Sequence, residues 1–311
     1  MHASPRKRWE PYRFEHSTNT PITYQREKTM MDKVCTYGTA VILFGILALL
    51  HGWHAPSANG AEGYTFGVVP QYDQRQMFAT WQPILNELEK RTGLSFRLVA
   101  TPTISAFEKE CFKGAYDFVY MNPYHLLKAH ESVGYLPIIR DRSEFRGILV
   151  VRKDSPINSP SELNGKTVAF PSPNALGASL LLRADLSNLF HVSVVPLYVT
   201  SHGSVYLHVV KGLVEAGGGV ERTLQEQEGA IRDALKVIYA TRPVPSHPVA
   251  AHPRVTGLDA EKVRRAFIEM EAAPEGRELL AKIPMNHPIA AVFQDYSPMM
   301  HWGLDAFWVK E

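Results

Sequence analysis

The polar residues of this chain that could do chemistry gather at four places where an apolar run gives way to a helix start. The first is residues 116–127, Y-D-F-V-Y-M-N-P-Y-H-L-L, where Tyr120, Asn122 and Tyr124 crowd the junction. Asn122 stands at the N-cap and Pro123 at the first helical position. The second is residues 170–179, F-P-S-P-N-A-L-G-A-S, where Ser172 or Asn174 can cap and Gly177 permits close approach of a ligand to the backbone. The third is T-S-H-G-S at 200–204, with the Ser201 hydroxyl and the His202 imidazole at the helix start. The fourth is A-G-G-G-V-E-R at 216–222, which follows a strand and adds the Glu221/Arg222 charge pair. A helix start carries unpaired N–H groups and the positive end of the helix dipole, so it attracts anions. In open α/β sheets ligands bind beyond the carboxyl ends of the strands, where all four segments fall. Together they read as a device for holding a small anion between two lobes.

Each junction alone has a plainer reading. A Ser or Asn before a helix is a cap, a tyrosine there belongs to the core or its rim, His202 is a surface or capping residue, and a glycine run is close packing. The coincidence of four carries the argument. Signals of catalysis are weak in the sequence. The glycine run lacks the G-K-[ST] of a P-loop and the G-x-G-x-x-G spacing, and neither G-x-S-x-G nor H-E-x-x-H occurs. His202 and His208 are six apart, and His247 and His252 flank prolines, so no metal spacing emerges. The expectation is a binding protein, not an enzyme, with neither cofactor nor metal. Cys111, in F-E-K-E-C-F-K-G, reads as a buried inert thiol, the alternative being a thiolate that captures a soft ligand such as arsenite.

The elements that must position these residues are legible in the periodicity. Strands are expected over 64–69, 94–100, 118–120, 147–152, 167–170, 192–198 and 214–217. Helices are expected over 78–91, 103–113, 123–132, 175–189, 204–210, 224–235, 260–272 and 275–282. Strands alternating with helices imply α/β lobes with parallel sheets. The expected division is 62–150 plus 249–311 for one lobe and 151–248 for the other, with crossovers near 149–153 and 237–248. The tail, with Trp302, Phe307 and Trp308, is expected to pack on the first lobe.

At 311 residues and a formal net charge of +2, the chain has room for two lobes and gives no reason to expect a nucleic-acid partner. An apolar run over 37–50 followed by A-P-S-A-N-G-A at 55–61 has the layout of a secretory signal peptide, cut near Ala58 or Ala61. An uncleaved anchor is the alternative. Residues 1–29 are read as preceding a true start at Met30 or Met31. Cys35 lies ahead of the apolar run, so the mature chain keeps only Cys111 and makes no internal disulfide.

G-V-V-P-Q at 67–71, Thr92-Gly93, G-A-Y-D-F-V-Y-M-N-P-Y at 114–124 and D-S-P-I-N-S-P-S-E-L-N-G-K-T-V-A-F at 154–170 resemble the phosphate/phosphite/phosphonate-binding proteins of ABC importers, the PhnD-like periplasmic family. The resemblance implies a type II periplasmic-binding fold, two α/β lobes joined by a two-strand hinge, in a monomeric mature protein of the periplasm. It also implies a small oxyanion ligand and an inner-membrane permease and ATPase as partners. By position, the ligand shell would draw on Gln71 or Tyr72, Tyr120, Asn122, the turn of Ser172, Asn174, Ala175 and Gly177, Ser201, His202 and Glu221, with Tyr124 beside it. One departure stands out. Phosphonate binders of this family show Ser-Thr-Ser-Gly at the second-lobe helix start, whereas this chain has Asn174-Ala175-Leu176-Gly177. The backbone cradle survives and the hydroxyls do not. The rival readings are a sensory binding protein that signals to a membrane histidine kinase, arsenite being one candidate signal, and an exported enzyme on the same fold.

Overall fold

The computed structural model describes residues 63–310. The leader, its cleavage site and the start-codon reading lie outside the described residues.

The chain first lays down Tyr64–Val68 (β1), Gln74–Thr92 (α1), Phe96–Ala100 (β2), Ile104–Cys111 (α2), Phe118–Tyr120 (β3), Pro123–Val133 (α3) and Leu136–Asp141 (β4). The short Glu144–Phe145 (β5) leads to Gly147–Arg152 (β6) and Thr167–Phe170 (β7). A π-helical turn, Leu176–Leu181, runs into Leu182–Asn188 (α4), followed by Val195–Tyr198 (β8), His202–Val210 (α5) and Ala216–Val220 (β9). Glu221–Gln225 (α6), Gly229–Arg232 (α7) and Leu235–Ala240 (β10) complete this half. Val244–Pro245 (β11) returns the chain to Val249–Ala251 (β12), Gly257–Ala272 (α8), Pro274–Ala281 (α9) and Pro288–Ala290 (β13), and a tail of short 3-10 turns ends it.

Two sheets result, one ordered β13-β4-β12-β3-β1-β2 and the other β10-β6-β9-β7-β8. Each has a parallel core, β3-β1-β2 in the first and β9-β7-β8 in the second. Each turns antiparallel where a crossover strand enters: β12 beside β3 and β4, and β6 beside β9 and β10. A wholly parallel sheet was the simpler expectation. It fails because a chain that leaves for the second lobe and comes back must re-enter each sheet from the opposite end.

The link between the lobes is the antiparallel pair β5/β11. Its first strand lies upstream of the expected crossover at 149–153, because Gly147–Arg152 pairs along its length with strands of the second sheet, and its second strand falls within the expected 237–248. The division expected at residue 150 therefore moves back by several residues. Leu136–Asp141 and Pro288–Ala290 add strands beyond those read from the sequence. The helix expected over 224–235 is two short helices, and residue 235 already belongs to β10.

Local chemistry explains the boundaries. Asp73 caps α1 by accepting from the Gln76 N–H at 2.9 Å, and so starts that helix earlier than its apolar stripe suggests. Met77, Trp81, Ile84, Leu85 and Leu88 of α1 are buried against the first sheet, where Phe66, Phe96 and Phe118 form an aromatic cluster. Each such burial is worth about 1.5–3 kcal/mol. The glycine run expected to follow a strand is itself the strand β9. A Cβ on Gly218 would sit 2.1 Å from the Ala178 carbonyl oxygen, and one on Gly219 would sit 2.1 Å from the Tyr206 Oη. Bare backbone lets the π-helical turn and α5 close down on β9. Trp302, Phe307 and Trp308 pack against the first-lobe core. Among the described residues no helix is long and apolar enough to cross a membrane.

Candidate functional site

Between the lobes, beyond the carboxyl ends of β1, β3, β7 and β9, lies a cavity of about 30 Å3. The first lobe contributes Val69, Gln71, Ile104 and Asn122, and the second Ala175, Leu176, Gly177, Ala178, His202 and Val220. Phe145 and His247 enter from the two crossovers. Of the residues expected at the site, Gln71, Asn122, Ala175, Gly177 and His202 meet here.

The local reasons are visible at each wall. Asn122 caps α3 by accepting from the His125 N–H at 2.8 Å, and its Nδ2 donates across the lobe boundary to the Asn174 carbonyl at 3.3 Å. The turn at 175–178 begins the π-helix, whose first bonds to the Ala175 carbonyl come from Ser179 and Leu180. The N–H groups of Leu176, Gly177 and Ala178 thus have no carbonyl within the helix to bond, and these three residues line the cavity. Ser201 caps α5 by accepting from Ser204 N–H at 3.1 Å, which puts His202 in the first turn. Thr200 just before it has φ of 70°, an uncommon backbone for a β-branched residue, so the junction that presents His202 is strained.

The other expected residues are placed elsewhere. Tyr120 is buried among Trp81, with ring centroids 4.8 Å apart, and His247, stacked at 5.5 Å. Its hydroxyl is buried with no partner among the described residues, beside a void of about 10 Å3 next to Gln71 and Thr80. Tyr124 donates to Asp305 Oδ1 at 2.7 Å and packs under Trp308. Tyr72 forms a rim contact across the lobes. Its hydroxyl donates to Glu226 Oε2 at 2.6 Å, Glu226 pairs with Arg222, and Arg222 donates to the Ala281 carbonyl at 3.0 Å. Glu221 is exposed at the mouth of the cleft, a space of about 550 Å3 that also holds Arg146 and Arg222. Ser172 and Ser201 shape their turns without lining the cavity, and the Asn174 side chain turns to the C-terminal segment. Cys111 is fully buried in the first-lobe core, and burial pushes its thiol up, so it is inert and remote from the cavity.

His247 is the residue that sequence reasoning missed. Gln71 Nε2 lies 3.1 Å from its Nε2, and its ring packs at 5.1 Å on Phe145. Phe145 sits on the crossover pair and His247 just after it, where no strand-to-helix signature marks them. His202 Nδ1 lies 3.1 Å from Thr223 Oγ1, itself 2.8 Å from the Tyr206 hydroxyl. Burial lowers the His202 pKa to about 4, and burial with the neighbouring His125 and His202 lowers that of His247 to about 3. Both imidazoles are neutral at pH 7. The cavity therefore offers backbone N–H groups, two amides and two neutral imidazoles, framed by Val69, Ile104, Leu176 and Val220. It offers hydrogen bonds rather than a cation, and among the described residues no nucleophile–base pair lines it.

Two α/β lobes on a two-strand hinge, with a small polar cavity at the helix starts between them, define a bilobed solute-binding protein. Known proteins make the class specific. The profile of the family described as "ABC transporter, phosphonate, periplasmic substrate-binding protein" matches residues 66–296, and the chain belongs to that family. It is 21% identical over 256 residues to the phosphonates-binding periplasmic protein of Escherichia coli K12, covering 78% of this chain and 75% of that one. It is 20% identical over 263 residues to the phosphate-import protein PhnD of Mycolicibacterium smegmatis, covering 76% of this chain and 81% of that one. The fold matches PhnD1 from Prochlorococcus marinus in complex with methylphosphonate, with a TM-score of 0.71 at 15% identity, over 78% of this chain and 97% of that one. The protein is thus a substrate-binding component of an ABC transporter of the periplasmic class, not an enzyme.

Proposed function

We propose that the protein captures a small oxyanion of phosphorus, of the phosphonate, phosphite or phosphate class, for an inner-membrane permease and ATPase. The observation that carries this reading is the inter-lobe cavity of about 30 Å3, lined by the helix-start residues 176–178, Gln71, Asn122, His202 and His247. A cavity of that size holds one or a few water-sized groups and not a drug-sized organic ligand. Unpaired N–H groups at a helix start suit a tetrahedral oxyanion. The relatives named above bind phosphonates or import phosphate, which agrees with this chemistry. Leu176 and Val220 give the cavity an apolar side, which favours anions carrying a hydrogen or methyl on phosphorus over phosphate and sulfate.

Thermal unfolding against methylphosphonate, phosphite, hypophosphite, phosphate, sulfate and arsenite tests the reading. A ligand at 100-fold over its dissociation constant adds about 2.7 kcal/mol of stability. A clear rise in Tm with methylphosphonate or phosphite is expected, with a smaller one for sulfate. A rise with arsenite alone would sink the reading. The sensory alternative shares the same site and is separated by whether the protein stimulates ATP hydrolysis by its transporter.

A further inference from the structure

The residue that departs from the family pattern at the anion turn has a different occupation. Asn174 is buried and does not line the cavity. Its Nδ2 donates to the Val309 carbonyl at 2.8 Å, and its Oδ1 accepts from the Val309 N–H at 3.0 Å, so the side chain pairs with the tail as a neighbouring strand would. The same Nδ2 lies 3.0 Å from Glu108 Oε2 in the first lobe, and the other Glu108 oxygen is 2.7 Å from His125 Nε2. Nearby, Arg183 Nη2 donates to the Phe307 carbonyl at 2.6 Å and to the Pro173 carbonyl at 2.7 Å.

The tail itself is fastened to the first lobe. Trp308 packs on Phe112, Tyr124 and His125, meeting the last edge-on at 5.8 Å. Asp305 pairs with Lys128 at 2.6 Å, and Leu304 is buried. A segment anchored on one lobe thus grips the other at the residue just before the anion turn. The bonds from Asn174 and Arg183 to the tail, and from Asn174 to Glu108, join the two lobes in this structure.

We propose that the segment 303–310 is a strap that holds the anion turn against the first lobe. Asn174 is its clasp, a positioning residue that couples lobe closure to ligand retention. The retention half rests on the oxyanion reading above, and the closure half stands without it. The closed arrangement gains the strap bonds, so breaking them shifts the lobes toward separation and weakens any ligand that needs both walls.

The test uses the full chain in a Cys35→Ser background, spin-labelled at R97C in the first lobe and K211C in the second. Asn174→Ala removes the clasp, Val309→Pro removes the N–H that Asn174 accepts, and Trp308→Ala loosens the anchor without touching the second lobe. Each is expected to lengthen the inter-lobe distance and to speed methylphosphonate release, Asn174→Ala about tenfold, the weight of two buried amide hydrogen bonds, and the other two by a few-fold. Unchanged distances in all three variants, with only a lower Tm, would overturn the strap. Longer distances in a protein that binds no oxyanion would leave the strap standing and remove the ligand reading instead.

Discussion

At the scale of single residues, Tyr120 shows how one side chain changes role when its surroundings are known. At the end of β3 it is placed like a ligand residue, yet its ring fills the core between Trp81 and His247, and its hydroxyl is buried without a partner among the described residues. A buried unpaired hydroxyl costs about 1–3 kcal/mol. Tyr120→Phe is therefore expected to leave stability unchanged or raise it by about 1 kcal/mol, with unchanged oxyanion affinity, as read by chemical denaturation and calorimetry. A marked loss of affinity would show that the hydroxyl reaches the ligand after all. Asn122 and His202 both line the cavity, Asn122 as the cap of its own helix and His202 as the residue after the Ser201 cap. Asn174 has the same cap-like sequence context and serves the tail instead. Nothing local separates the two cases.

At the scale of elements, the second-lobe sheet depends on backbone meeting backbone. The π-helical turn approaches β9 so closely that a methyl on Gly218 would overlap the Ala178 carbonyl at 2.1 Å and press on Phe170 and Leu182. The colliding atom is main chain, so a rotamer change gives no relief. Gly218→Ala should cost about 1–3 kcal/mol, the range of overpacking. It should also weaken ligand binding by displacing the 175–178 turn. Denaturation and calorimetry on the same variant read both effects, and a fully stable variant with native affinity would contradict this packing. The run of three glycines was visible in the sequence, but its place inside the strand was not. Periodicity cannot register residues that have no side chain.

At the scale of the whole molecule, burial at the inter-lobe cavity sets the environment of His202 and His247. Their pKa values are lowered, to about 4 for His202 and about 3 for His247, chiefly by burial, so the folded state refuses protons that the unfolded chain accepts below about pH 6.5. Their contribution to stability is thus full about a unit above pH 6.5 and is lost as pH falls through 6.5 toward 4 and 3. The slope is about 1.4 kcal/mol per pH unit for each histidine. Between pH 6.5 and 5 the pair should account for about 3 kcal/mol of destabilisation. The double variant His202→Asn/His247→Gln should flatten that slope. Equal slopes in the two proteins would mean that these imidazoles are solvated in solution.

The sequence alone determined the α/β class, most strands and helices, the helix starts rich in anion-binding groups, and the family resemblance. Those features rest on short-range physics: apolar periodicity, caps and turn residues act within a few positions. Only the tertiary structure decided which junction residues share a cavity. It brought His247 and Phe145 in from the crossovers, moved Tyr72 to the rim, and turned Asn174 toward the tail. Sheet order and lobe contact are set by pairings between residues tens of positions to more than a hundred apart, as between Asn174 and Val309, and no local pattern encodes such a meeting.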